Sequence, residues 1–117
     1  MSERLLNYIA ALRKQAGLSQ LQLAKLLGYR DKTAVSTHER LRSLPPLTIA
    51  IAYSVVFRKP VSEIFAGLTD LVEGAVEAEI ARFEHELNRP KAPSRGTARA
   101  LRWVSHRMQS RPSGRGP

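Results

Sequence analysis

The sequence predicts an all-α fold: a five-helix domain followed by an amphipathic helix and a basic tail. Three observations predict it. Apolar residues recur at helical spacing, and no stretch alternates with period two. Gly17, Gly28 and Pro45-Pro46 interrupt that pattern at intervals suited to short helices. Finally, Ala24, Gly28 and Val35 fall where two short, closely crossing helices need them. Ala24 is small enough for the close approach, Gly28 tolerates φ > 0 at the bend, and Val35 points back into the core.

Taken in order, the first helix is expected from Arg4 to Ala16, with Leu5, Ile9, Leu12 and Ala16 on one face and Gly17 as its stop. Ser19 caps the second helix, and Ser19-x-x-Gln22 is a capping-box pattern that satisfies two orphan N–H groups. Leu23, Ala24 and Leu27 form its buried face, and packing rather than propensity must stabilise so short an element. Asp31 is the expected cap of a third helix running from Lys32 to about Arg40. Val35, His38 and Glu39 face inward there, leaving Lys32, Thr33, Ser36 and Thr37 for a partner. His38 reads as a packed core histidine.

Pro45-Pro46 suits the first turn of a fourth helix, Leu47 to Phe57, which is apolar nearly all round. Such a helix is either central to a core or covered by a partner. Pro60 opens a short fifth helix whose Val61, Ile64 and Phe65 close the core. Leu68, Leu71, Val72, Ala75, Val76, Ile80, Phe83 and Leu87 trace a sixth helix with an acidic back, stopped by Asn88-Arg89-Pro90. The apolar stripe is either a lid on the core or a dimer seam, and the seam is preferred because five helices suffice to close the core. Beyond it the chain is rich in Pro, Gly, Ser and Arg and reads as largely disordered. Within it Ala98, Leu101, Val104 and Met108, with Trp103 nearby, are placed to form a short basic helix on contact with something.

Charge divides the 117 residues the same way. The net +9 splits into +6 over residues 1–68, −5 over 69–88 and +8 over 89–117, where eight basic residues meet no acid. A polyanionic partner is implied. With no cysteine there is neither a disulfide framework nor a thiolate metal site, and a reducing, cytoplasmic compartment is expected. Met1-Ser2-Glu3-Arg4 leads into an amphipathic segment, so no signal peptide is expected. The apolar run from Leu47 to Phe57 is too short to span a membrane, which takes ~20 residues. No cofactor or metal site is expected: His85 and His106 lack partners at ligand spacing, and the pairs Glu77/Glu79 and Glu84/Glu86 diverge on a helix. No nucleophile stands with a base and an orienting acid, so an enzyme is not expected.

Leu12-Arg13, Gly17-Leu18-Ser19-Gln20, Leu23-Ala24, Leu27-Gly28, Val35-Ser36, Glu39-Arg40 and Pro45 together resemble the XRE, or Cro/cI-type, helix-turn-helix family. The resemblance covers roughly residues 5–66. It implies a lambda-repressor-like five-helix domain in a bacterial or phage transcriptional regulator that binds double-stranded DNA, commonly as a homodimer. By the same resemblance Gln20 contacts a phosphate, and Lys32, Thr33, Ser36 and Thr37 meet base edges in the major groove. Arg40, Arg42 and Ser43 clamp phosphates, Arg30 in the preceding turn joins the DNA-facing set, and Arg13 and Glu39 form a largely buried structural ion pair.

Three features depart from the family pattern. Gly28 to Glu39 is one residue longer than usual, which enlarges the turn Tyr29-Arg30-Asp31. Leu41 stands where a glycine commonly ends the recognition helix, so that helix is expected to run on a turn. Arg58-Lys59 replaces a small-apolar pair after the fourth helix.

The expectation is therefore a nucleoid-associated regulator, a repressor in the first instance. Residues 1–67 would read DNA, residues 68–89 would offer a dimer or protein-partner surface, and residues 90–117 would form a flexible tail. The alternatives are an antitoxin of a toxin–antitoxin pair, whose region after residue 67 would wrap a toxin, and a non-specific nucleoid-associated DNA binder.

Overall fold

The computed structural model describes residues 4–89 and 95–109. They form seven helices and no strand: α1 (Ile9–Gln15), α2 (Gln20–Leu26), α3 (Thr33–Glu39), α4 (Leu47–Phe57), α5 (Val61–Ile64), α6 (Ala66–Leu87) and α7 (Arg95–Gln109). The chain is all-α, as its periodicity predicts. Two compact units divide it, Met1–Val72 and Glu73–Pro117.

In the first unit, Ile9, Leu23, Ala24, Leu27, Val35, Tyr53, Ile64 and Phe65 make the core, with residues from α1 to the start of α6. Ala24 is fully buried on α2, which packs against α3. Gly28 takes φ +91°, the left-handed conformation that closes α2 without a Cβ penalty. The capping box at α2 forms: Gln22 N–H donates to Ser19 Oγ at 3.0 Å and Ser19 N–H to Gln22 Oε1 at 2.9 Å.

Three element boundaries differ from the sequence reading, each for a hydrogen-bonding reason. The first helix starts at Ile9, not Arg4, because the backbone of residues 5–8 is engaged elsewhere. Gly67 N–H donates to the Leu5 carbonyl at 2.8 Å, and Tyr8 N–H donates to the Ile64 carbonyl at 2.7 Å. Asn7 then offers its Oδ1 to Ile9 N–H at 3.0 Å and fixes the start of α1. At the third helix Asp31 does accept from Thr33 N–H at 2.9 Å, but Lys32 occupies the cap position.

The third difference corrects the expected extra turn after α3. Leu41 adopts φ +55°, its N–H donates to the His38 carbonyl, and Arg42 N–H donates to the Thr37 carbonyl, both at 3.1 Å. This is the Schellman pattern of a glycine-ended helix, formed here by a leucine. Two satisfied carbonyls offset the left-handed backbone, so α3 stops at Glu39.

Helix α4 is not enclosed on every side. Ala50 and Tyr53 are buried, while Leu47, Ile51 and Val55, one stripe at i, i+4 and i+8, are exposed. Tyr53, a polar-tipped residue in a largely apolar run, is the most deeply buried side chain of this helix. Its ring is fully buried, lies parallel to Phe57 at 6.4 Å and meets His38 edge-on at 5.8 Å.

In the second unit, α7 is longer than the short contact-induced helix the sequence suggested. Val104 is fully buried, and Arg107 Nη2 donates to Glu77 Oε1 on α6 at 2.7 Å. An acidic helix therefore already serves as the partner of the basic one. The expectation of disorder for residues 90–94 and 110–117 lies outside the described residues. Among those described, no helix is long and apolar enough to cross a membrane.

Candidate nucleic-acid interface

Helix α3 divides its residues by face. Val35 and His38, three apart, are buried; Thr33, Ser36 and Thr37, at i, i+3 and i+4, lie on the opposite side. Thr33 is exposed, while Ser36 and Thr37 are half-buried. Thr37 Oγ1 donates to the Thr33 carbonyl at 2.8 Å, which fixes its rotamer and leaves its methyl group and oxygen lone pairs for an outside contact. Lys32 is exposed at the start of the helix.

Beside this face, a cleft of about 640 Å³ is lined by Arg13, Ser19, Gln20, Leu21, Asp31 and Lys32. It brings Gln20 at the start of α2 together with Lys32 at the start of α3. Thr33, through its backbone N–H first and its hydroxyl second, holds the Asp31 carboxyl below the usual carboxylate range. Asp31 therefore remains ionised while accepting from Thr33 at the start of α3.

Behind the cleft, one network fixes α1, α2 and α3 relative to one another. Arg13 Nε donates to Glu39 Oε2 at 2.7 Å and Arg13 Nη2 to Glu39 Oε1 at 3.4 Å. Gln20 Nε2 donates to the same Oε1 at 2.9 Å, and Arg13 Nη1 donates to the Leu18 carbonyl at 3.0 Å. The two charged side chains are 13% and 7% exposed. Gln20, which lines the cleft, is thus anchored through one of its two amide hydrogens.

Two further supports involve Asn7 and Tyr53, neither of which was singled out in the sequence. Asn7 Nδ2 donates to the carbonyls of His38 and Glu39 at 3.4 and 3.3 Å, pinning the last turn of α3 to the N-terminal segment. An isolated asparagine before a helix carries no motif, so only the fold could reveal this. His38 Nδ1 bonds Tyr53 Oη at 2.9 Å, and burial lowers the imidazole pKa. Burial also raises the Tyr53 phenol, with the nearby Tyr29 and Glu39 adding to the shift. Both rings therefore stay neutral near pH 7, as a buried neutral pair between α3 and α4 should.

Arg30 is exposed in the turn before α3, and Arg40, Arg42 and Ser43 are exposed just after it. None of these arginines pairs with a carboxylate among the described residues. The Schellman turn places Arg40 and Arg42 at the negative end of the α3 dipole, where cations are favoured even without a ligand. Arg58 and Lys59, after α4, are exposed as well.

No curated protein and no solved structure matches the chain. A family model described as helix-turn-helix does match, over residues 9–64. That span runs from the first residue of α1 to the last of α5, and it encloses the cleft, the outward face of α3 and the buried network behind them. Residues 9–64 therefore carry a helix-turn-helix domain of the XRE, or Cro/cI, type, the type found in DNA-binding transcription regulators.

Proposed function

We propose that the protein recognises an operator sequence in duplex DNA with α3 in the major groove, and that it acts as a repressor. The observation that carries this is the pairing of a polar outward face on α3 with a locked inward one. Base readout needs side chains held in fixed positions, and Val35, His38 and the Arg13–Glu39–Gln20 network supply the fixing. Lys32, Thr33, Ser36 and Thr37 are the proposed base-reading set. Gln20, Arg30, Arg40, Arg42 and Ser43 are the proposed phosphate contacts, which position the helix without carrying sequence information. Repression follows economically, because an occupied operator excludes other proteins without any further contact.

The proposed division of labour is residues 1–67 for reading and residues 68–89 for pairing two copies. Val76 and Phe83, exposed on α6, line an apolar groove of about 510 Å³ with Ile80 and Trp103. Phe83→Glu should shift the sedimentation equilibrium toward monomer. If Ile51→Glu does so instead, the seam is the exposed stripe of α4. The same groove favours one second reading, an antitoxin that covers it with a toxin rather than with its own copy.

Selection of bound sites from a random duplex pool tests the operator reading. A recovered consensus bound ~10³-fold or more above random DNA is expected, and its absence would leave a non-specific nucleoid binder. Lys32→Ala and Thr37→Ala should each cost ~1–3 kcal/mol on the consensus and relax specificity at one position. If both variants keep the wild-type consensus, α3 is not the reader.

A further inference from the structure

Helix α7 carries four arginines and no acid in its fifteen residues, and the structure separates those arginines by task. Arg107 is committed inward, to Glu77. Arg99 and Arg102, three residues apart on one face, are exposed and meet no carboxylate among the described residues. Trp103 is half-exposed and lines the groove with Ile80 and Phe83.

We propose that this outward strip of α7 is a second nucleic-acid contact, gripping the phosphodiester backbone of duplex DNA without reading its bases. Guanidinium groups match phosphate oxygens with two parallel N–H donors and remain charged at any working pH. A basic helix of this composition has one other common polyanion, the anionic membrane surface. That use requires the apolar face to be free for insertion between lipids. Here Val104 on that face is fully buried, Ala98, Ala100 and Leu101 are half-buried, and Trp103, the one exposed large apolar side chain described on α7, lines the groove with Ile80 and Phe83, so charge dominates the outward surface. The DNA-binding domain in the same chain raises the local concentration of phosphates that such a strip meets. The inference rests on the DNA-binding character of residues 9–64 and not on the operator reading.

The test uses the full chain and a random-sequence duplex, with binding measured from 50 to 200 mM salt. R99A/R102A should lower the magnitude of the log K against log[salt] slope by about two, at ~0.9 per phosphate contact. The affinity lost across that salt range then shrinks roughly 12-fold. R99K/R102K should keep most of the slope, and far-ultraviolet ellipticity should not change, since both side chains are exposed. An unchanged slope in R99A/R102A overturns the proposal. So does Arg99/Arg102-dependent sedimentation with phosphatidylserine–phosphatidylcholine vesicles when the DNA slope is unaffected. A wild-type protein that yields no consensus yet shows the slope change would sink the operator reading and leave the role of α7 standing.

Discussion

Glu39→Ala offers the sharpest stability test, because it strands a charge that the fold has enclosed. Wild-type Glu39 accepts three hydrogen bonds, two from Arg13 and one from Gln20. Its removal leaves the Arg13 guanidinium, on a side chain 13% exposed, with the Leu18 carbonyl as its remaining partner. Breaking a buried pair from one side costs ~3–5 kcal/mol. The Leu18 carbonyl and the residual exposure of Arg13 place the expectation near ~3 kcal/mol. In a domain of 60–100 residues each kcal/mol moves Tm by roughly 4–8 °C, so a fall of about 12–24 °C is expected by circular dichroism. The double variant Arg13→Met/Glu39→Leu should recover most of that loss, since replacing both charges by apolar groups is often neutral or better. A Glu39→Ala protein that melts with the wild type would refute the reasoning. A double variant no more stable than Glu39→Ala would show that the network's value lies in its hydrogen bonds rather than in charge balance.

Gly67→Ala should destabilise by ~1–3 kcal/mol, since a Cβ there would stand 2.6 Å from the Leu5 carbonyl oxygen and 2.7 Å from that of Arg4. Faster hydrogen exchange at the Gly67 and Tyr8 amides is the readout, and unchanged protection at both would contradict it. The His38 pKa is lowered in the folded state, so its contribution to stability is full above the unfolded value of about 6.5 and is lost as pH falls toward the folded one. Thermal melts from pH 8 to pH 5 should therefore show a loss below about 6.5 that His38→Gln lacks; parallel curves for the two proteins would dismiss it. Arg58, exposed at the end of α4 with φ +55°, should gain about 0.5–1 kcal/mol on substitution by glycine, which relieves the left-handed backbone. A lower midpoint in urea would mean that the side chain holds the turn after all.

The order of the helices, the capping box at Ser19 and Gln22, the bend at Gly28 and the inward set of α3 were all legible in the sequence. Each is a local requirement: a side chain reaching its own backbone, a glycine at positive φ, an apolar spacing of three or four. The spacing of Arg13 and Glu39 was legible too, because a resemblance across the whole segment matched both positions. Tertiary structure decided what depends on partners distant in the chain. Residues 5–8 stay out of the helix because Ile64 and Gly67 compete for their backbone groups, and no local propensity announces that competition. Leu41 adopts the glycine conformation because two carbonyls at the end of α3 are satisfied by it. Gln20 and Asn7 acquire their roles from Glu39 and His38, nineteen and thirty-one residues away. The four arginines of α7 look equivalent in sequence; a carboxylate thirty residues earlier turns Arg107 inward, and Arg99 and Arg102 are left facing outward.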